Sequence, residues 1–414
     1  IETNTLQMEE GRHYRPASIF ASVERWLTGR PGAKVNVPPD RAALIRDRLL
    51  GILFSQSFDI VDRGLGTRTD LNLGCQVALG FKKGPLDLMR DLGEAEVRRI
   101  MSEFERNRPG FPQSGQSFQT YLDFYRHILV DDIEGVKVIT LRRPQAMNAL
   151  NDEVNDEVLA VLKAHAGDPA VEGFVITGWG DQAFSAGADI GRFPSLLGDA
   201  VASAQYARGL AKVQVFMDHM DKPVVAALNG LALGGGLEIA IRCHSLVALS
   251  QARLGFPEIT LGILPGIGGC VVPYRRWPQG AKLFDEMVCL GRNISAQEAF
   301  EAGMVSRLVD DMGDLYRAAA EEVRRLKGRL TRLPEGPITL PAFEPPETPR
   351  CGKQPLSHEA VALTVETIRT GARAASLAEA LEAGYQGFGR IACTEAAQEG
   401  ISAFLEKRRP NFTK

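Results

Sequence analysis

The chain is poor in several things that would each have named a function class. Its 414 residues include six cysteines (Cys75, Cys243, Cys270, Cys289, Cys351 and Cys393), with no C-x-x-C pair and no metal-cage spacing, so neither a disulfide scaffold nor a structural zinc site is expected. Several of them sit in apolar runs and read as small core residues of a reducing, cytoplasmic setting. A net charge of −3 gives no overall reason to expect nucleic acid or an anionic membrane as partner. The clusters Arg324-Arg325-Leu326-Lys327 and Lys407-Arg408-Arg409 read as solvated helix faces that a phosphate-bearing ligand could still use. Long apolar runs are missing too. The longest, from Pro223 to Ile241, holds Asn229, four glycines and Glu238, which a membrane span tolerates badly. The start, Ile-Glu-Thr-Asn-Thr, lacks a signal pattern and an initiator methionine, which leaves room for a segment upstream.

What is present fits an ordinary globular protein, 44% hydrophobic and 24% charged, long enough for two domains. After a polar tail of about 15 residues, apolar positions recur at helical spacing from Pro16 to about Arg108, as in Leu44-Ile45-Leu49-Leu50 and Val97-Ile100-Met101-Phe104. The Pro/Gly/Ser/Gln run Pro109–Ser117 reads as a linker. Near Ile128 the period changes. Strands are expected at 136–141, 173–177, 223–228 and 246–249, with an amphipathic helix over 151–166 and another from about 235. Strands alternating with helices indicate an α/β domain over 128–328, preceded by an all-α domain over 1–127. A Pro-rich linker over 329–355 leads to C-terminal helices over 356–414.

Three motif matches are weak. Gly178-Trp-Gly180-Asp-Gln-Ala183 has dinucleotide spacing, but Phe-Ser-Ala-Gly-Ala-Asp follows it, a loop and not the helix N-terminus that pyrophosphate needs. Ala183-x-Ser185-x-Gly187 falls short of a nucleophile elbow and no histidine follows in a partner role. His358-Glu359 lacks the second histidine of a zinc helix. No NAD site and no metal site are expected.

The strong constellation is a pair of acids in glycine frames. Leu233-Gly234-Gly235-Gly236-Leu237-Glu238 opens a helix, where a glycine lets backbone approach a ligand and the first-turn N–H groups are free. Gly235 N–H, with Ala188 N–H from the small-residue loop Phe184-Ser-Ala-Gly-Ala-Asp-Ile190, could hold an oxyanion. Glu238 lies one turn on, and Glu258, after Pro257, could reach the same centre. A plainer reading stands beside this one: Glu238 caps its own helix and Glu258 starts a turn.

Together with Arg143-Pro-x-x-x-Asn148-Ala149, Lys222-Pro-Val-Val-Ala-Ala-Leu-Asn229-Gly230, Phe256-Pro-Glu258, Gly262-Ile-Leu-Pro-Gly-Ile-Gly-Gly269 and Phe404-Leu-Glu-Lys407-Arg-Arg-Pro, these stretches resemble the crotonase (enoyl-CoA hydratase/isomerase) family over roughly two thirds of the chain. The resemblance implies a spiral of ββα units closed by C-terminal helices. It puts Ala188 and Gly235 at the oxyanion hole and Glu238 and Glu258 at both catalytic acids. It puts Ala186, Asp189 and Ile190 in the loop that meets coenzyme A, and Phe404 and Lys407 where the family reaches a neighbouring subunit's coenzyme A, which implies a trimer or a dimer of trimers. Coenzyme A would arrive on the substrate, with no prosthetic group. Two acids imply hydration of 2-enoyl-CoA. The rivals are a 3-enoyl to 2-enoyl-CoA isomerase, which needs one acid, and a non-catalytic assembly subunit docking a dehydrogenase.

Departures are visible. Gln145 and Gly191 replace lysines that many relatives direct at coenzyme A, leaving Arg142, Arg143 or Arg192 to supply charge. Cys270-Val-Val-Pro-Tyr-Arg-Arg-Trp277 is unusual in a segment that the resemblance assigns to the acyl pocket. Upstream, Asp59-Ile-Val-Asp-Arg-Gly-Leu-Gly66 and Gly80-Phe-Lys-Lys-Gly-Pro-Leu-Asp-Leu88 resemble the helical C-terminal domain of 3-hydroxyacyl-CoA dehydrogenases. That echo implies a dehydrogenase–hydratase fusion, or a relative that lost the dehydrogenase half.

Overall fold

Helical periodicity in the first third becomes helices, and the period-2 segments after it become a sheet. The computed structural model describes residues 36–412, so the polar tail and the start of the first helical stretch lie outside the described residues. The chain divides between Arg126 and His127 into two units.

The first unit carries α1 (Pro39–Asp62), α2 (Arg68–Leu79), α3 (Pro85–Leu92), α4 (Glu94–Asn107) and α5 (Phe118–Leu122). Prolines open α1 and α3, where no amide is needed, and Thr67 caps α2 by accepting from Asp70 N. Phe54, Phe58, Leu86, Met89, Ile100 and Tyr121 form its core. The run Pro109–Ser117 is not the free linker that its composition suggested. Ser55 Oγ donates to Pro112 O (2.7 Å), Gly115 N donates to Asp62 (2.8 Å), and Tyr121 OH donates to the same carboxylate (2.7 Å).

The second unit opens with an antiparallel hairpin, β1 (Ile128–Ile133) and β2 (Val136–Leu141), then α6 (Asp152–His165). From there the chain steps between two sheets. It makes β3 (Gly173–Gly178) and β4 (Ala183–Ser185); then α7 (Ala200–Leu210) and α8 (Lys212–Asp218); then β5 (Val224–Leu228), β6 (Leu231–Leu233) and α9 (Gly235–Arg242); then β7 (Ser245–Leu249) and β8 (Arg253–Gly255). Helices α10 (Val272–Arg276) and α11 (Ala281–Leu290), β9 (Ile294–Ser295), α12 (Ala296–Glu301), β10 (Arg307–Val309) and α13 (Met312–Leu326) follow. The large sheet has the order β1-β2-β3-β5-β7-β10 and the small one β4-β6-β8-β9, so each ββ step leaves one strand in each. This is the spiral of ββα units.

Alternation fixes the faces of the large sheet. Val138, Val175, Val225, Ala227 and Val247 point outward to Leu315, Ala319 and Val323 of α13, while Ile139, Phe174, Ile176, Ala226 and Leu246 point into the main core. The Pro-rich 329–355 stretch contains only the two-residue pairing of β11 (Arg350–Cys351) with β12 (Gln354–Pro355), and it is strapped down. Arg275 Nη1 donates to Pro334 O (2.9 Å) and Gly336 O (2.7 Å), and Leu333, Ile338 and Phe343 pack on the main core. Helices α14 (His358–Arg373), α15 (Leu377–Ile391) and α16 (Glu395–Leu405) complete the unit. Among the described residues, no helix is long and apolar enough to cross a membrane.

Two buried asparagines hold the crossing from β3 to β4, on which the site is built. Asn229 Nδ2 donates to Gly178 O (2.9 Å) and Gly180 O (2.7 Å), and its Oδ1 accepts from Gly178 N (3.0 Å). Asn148 Nδ2 donates to Trp179 O (3.0 Å) and Ala183 O (2.8 Å). Asn229→Ala strands several buried backbone groups at once, so unfolding free energy is expected to drop by about 2–4 kcal/mol in a denaturant titration.

Candidate active site

The site begins where β6 runs into α9. Gly234, at φ +50, turns the chain, and a Cβ there would sit 2.5 Å from Glu258 Oε1. Gly235 is then the first helical residue, whose N–H has no partner within the helix. Across from it runs the loop after β4. Leu150 N donates to Gly187 O (2.8 Å) and Asp189 N donates to Leu150 O (2.8 Å). Neighbouring residues of an extended segment face opposite ways, so this pairing turns Ala188 N–H away from Leu150 and toward α9. A Cβ built on Gly235 would lie 3.3 Å from Ala188 N. Among the described residues neither amide donates to a protein acceptor, and both residues line one pocket.

Glu238 does not cap α9. Its Oε1 accepts from Ile267 N (2.8 Å) and Gly269 N (2.8 Å), so the Gly266–Gly269 run serves as a cradle for a carboxylate. Glu258 sits in the first turn of a 3₁₀ helix, Pro257–Leu261. Its side chain borders the pocket, yet Oε2 is sealed from solvent with no hydrogen-bond partner.

The two acids differ electrostatically. Burial raises the Glu238 carboxyl to about 7, even though the 267–269 amides and the Arg242 charge pull the other way. Burial and then the Glu238 charge push Glu258 well above the usual carboxylate range, with no comparable set of donors to offset them. Near neutral pH the pair holds one proton, and Glu258 is the better place for it.

With its open mouth counted, the pocket spans about 600 Å³. Ala186, Ala188, Ile190, Gly235, Glu238 and Glu258 all line it. Asp189 does not: it accepts from Arg143 Nη2 (2.9 Å) and from Gly191 N (3.1 Å), bracing the loop. Phe404 and Lys407 lie exposed at the end of α16 and just past it, apart from the lining. Arg143 is engaged with Asp189 and Ala149 O, and Arg192 pairs with Asp152 beneath the Tyr206 ring (5.5 Å). The 270–277 segment, assigned to the acyl pocket by resemblance, contributes no lining residue. Its Tyr274 is buried and donates to Asp285 Oδ1 (3.0 Å) instead.

Sequence reasoning missed the apolar end. Phe193 meets Tyr206 (6.0 Å) and Phe388 (5.7 Å) edge-on, and Leu210, Ile263 and Leu264 fill the rest. Tyr206 sits on α7 and Phe388 on α15, and no motif singled out either residue.

Residues 131–331 match a family model described as enoyl-CoA hydratase/isomerase. The chain is similar to the crotonyl-CoA hydratase of Syntrophomonas wolfei, 35% identical over 290 residues that cover 70% of this chain and 98% of that protein. The 2,3-dehydroadipyl-CoA hydratase of Escherichia coli is 36% identical over 289 residues, covering 69% and 98%. Among solved structures, an enoyl-CoA hydratase/isomerase from Xanthobacter autotrophicus Py2 superposes with a TM-score of 0.52 at 26% identity, covering 68% of this chain and 94% of that one. Matched to such relatives over almost their whole length, this chain is an enzyme of the enoyl-CoA hydratase/isomerase family, within the crotonase superfamily.

Proposed function

We propose that the enzyme adds water, in the syn sense, across the double bond of a 2-enoyl-CoA thioester to give 3-hydroxyacyl-CoA. The observation that carries this reading is one pocket bordered by two carboxyls of unequal proton affinity and by two unused backbone N–H groups. The thioester oxygen would accept from Ala188 N–H and Gly235 N–H. Ionised Glu238 takes a proton from water as the water oxygen bonds to C3. The π electrons move toward C2 and the thioester oxygen as an enolate, and protonated Glu258 gives its proton to C2. Passing the proton from Glu238 to Glu258 resets the pair. Each N–H donor contributes roughly 3–4 kcal/mol to the charged transition state by mutational precedent.

The Ala186–Ile190 loop would hold coenzyme A through its backbone, with Asp189 as its brace. Phe404 and Lys407, exposed on one chain, suit a role at a neighbour's coenzyme A in a trimer or dimer of trimers. The helical first unit supports the further reading that the protein works beside a 3-hydroxyacyl-CoA dehydrogenase, which would oxidise its product.

The test is loss of the conjugated enoyl-thioester absorbance on adding crotonyl-CoA. A 3-enoyl-CoA that gains this absorbance, while crotonyl-CoA stays unchanged, would identify an isomerase instead. The pH profile has a defined sign. Glu238 works ionised, so kcat/KM should rise with pH through about 7, then fall at alkaline pH as Glu258 loses its proton.

A further inference from the structure

Arg242 is a buried cation that the hydration chemistry leaves unused. It lies one helical turn beyond Glu238 on α9, and its side chain has 0% exposure. Asp218, at the end of α8, fixes one edge of the guanidinium through Nη2 and Nε (3.1 Å to Oδ1). The other edge is odd: Nη1 is sealed from solvent and has no hydrogen-bond partner. A Cβ built on Gly268 would lie 3.7 Å from that atom. The Gly268 peptide is the middle of the segment whose flanking amides hold Glu238.

We propose that Arg242 is a positioning residue: anchored by Asp218, it braces the Gly268 turn from behind and so keeps the Ile267 and Gly269 N–H groups on the Glu238 carboxylate. The inference rests on the hydratase reading only for its kinetic test. Losing the brace frees the cradle and removes a nearby positive charge, and both changes weaken the ionised form of Glu238. The other ionisable groups around Glu238 are Glu258, Cys270 in the turn before α10, and Tyr385 on α15; Arg276 on α10 lies near Arg242 and Asp218. All of them stay in place in the variants.

In Arg242→Met the acid limb of kcat/KM should move up by about one pH unit, lowering activity about fivefold at neutral pH and about tenfold at lower pH. Activity should recover as pH rises above the shifted limb, up to the pH at which Glu258 loses its proton, with KM little changed. Arg242→Lys, which keeps the charge, should restore the limb. Should Arg242→Met not fold, Arg242→Gln keeps hydrogen-bond reach to Asp218 without the charge and carries the same expectation. Carboxyl ¹³C titration of glutamate-labelled protein reads Glu238 directly, whatever reaction the enzyme performs. Folded variants with an unmoved acid limb and an unmoved Glu238 titration would overturn the proposal; an inactive native protein whose Glu238 titration still shifts in Arg242→Met would sink only the hydratase reading.

Discussion

A protein carrying Glu258→Gln is expected to lose about a hundred- to ten-thousandfold in hydration kcat, with KM changed only a few-fold. Glutamine keeps the shape but has no proton to give to C2. Glu238→Gln should do comparable damage by removing the base. An isomerase needs one shuttling carboxyl, so a Glu238→Gln protein that kept its activity would refute the hydration mechanism. The same substitutions should act on stability in the opposite sense. The native state keeps a proton on Glu238 up to about 7, while the unfolded chain releases it near the ordinary glutamate value of 4.5. Between those values the native state binds more protons, so unfolding free energy falls as pH rises through the window. The shift corresponds to about 3 kcal/mol lost above neutrality. A neutral glutamine escapes this loss. Both variants should therefore melt higher than the native protein at mildly alkaline pH, and lower activity with higher Tm is the joint signature to look for. A fall in Tm of both at that pH would mean that the carboxyls are solvated in the native state.

Glycine and alternation made the site partly legible in the sequence. The Gly234–Gly236 triplet preceding Glu238 pointed to a close backbone approach, and the small residues at 186–188 pointed to another. The glycine run that holds Glu238 was visible too, but nothing tied it to that carboxylate. Ile267 and Gly269 act through backbone N–H groups about thirty residues away, and a backbone donor leaves no trace in residue identity. Arg143 and Asp189 pair across 46 positions, and nothing in their spacing announced that this acid braces the loop and does not line the pocket.

The fold divided in the same way. The middle strands β2, β3, β5 and β7, five or six residues long and rich in apolar side chains on both faces, announced the large sheet, while β1 and the three-residue β10 at its edges went unforeseen. The small sheet is built from strands of two or three residues, too short for a period to show, and only the family resemblance implied it. The Pro109–Ser117 run misled because proline and glycine report that a segment is not helical, while saying nothing about whether it is pinned. Here Asp62, a helical carboxylate far upstream, pins it through Gly115, Gln116 and Tyr121.

The second large effect is expected from a single methyl group. Gly234 has φ +50 and ψ −130, a conformation that an L side chain adopts only under strain of about 1–3 kcal/mol. Its added Cβ would lie 2.5 Å from Glu258 Oε1, well inside contact distance, so either the carboxyl or the start of α9 must move. Both moves harm the reaction. Displacing the carboxyl takes the acid from C2, and shifting α9 pulls Gly235 N–H off the thioester oxygen. A displacement near 1 Å at a reacting centre costs about a hundredfold. Gly234→Ala should therefore cut kcat by about a hundredfold or more and lower Tm by several degrees, while crotonyl-CoA still binds. Gly209 on α7 supplies the control, because an added Cβ there meets nothing within 4 Å. Gly209→Ala should keep full activity and gain slightly in stability, since alanine loses less conformational freedom on folding in a helix. Full activity in Gly234→Ala would mean that the Glu258 carboxyl has room to retreat, and that its contact with Gly234 does not set its catalytic position.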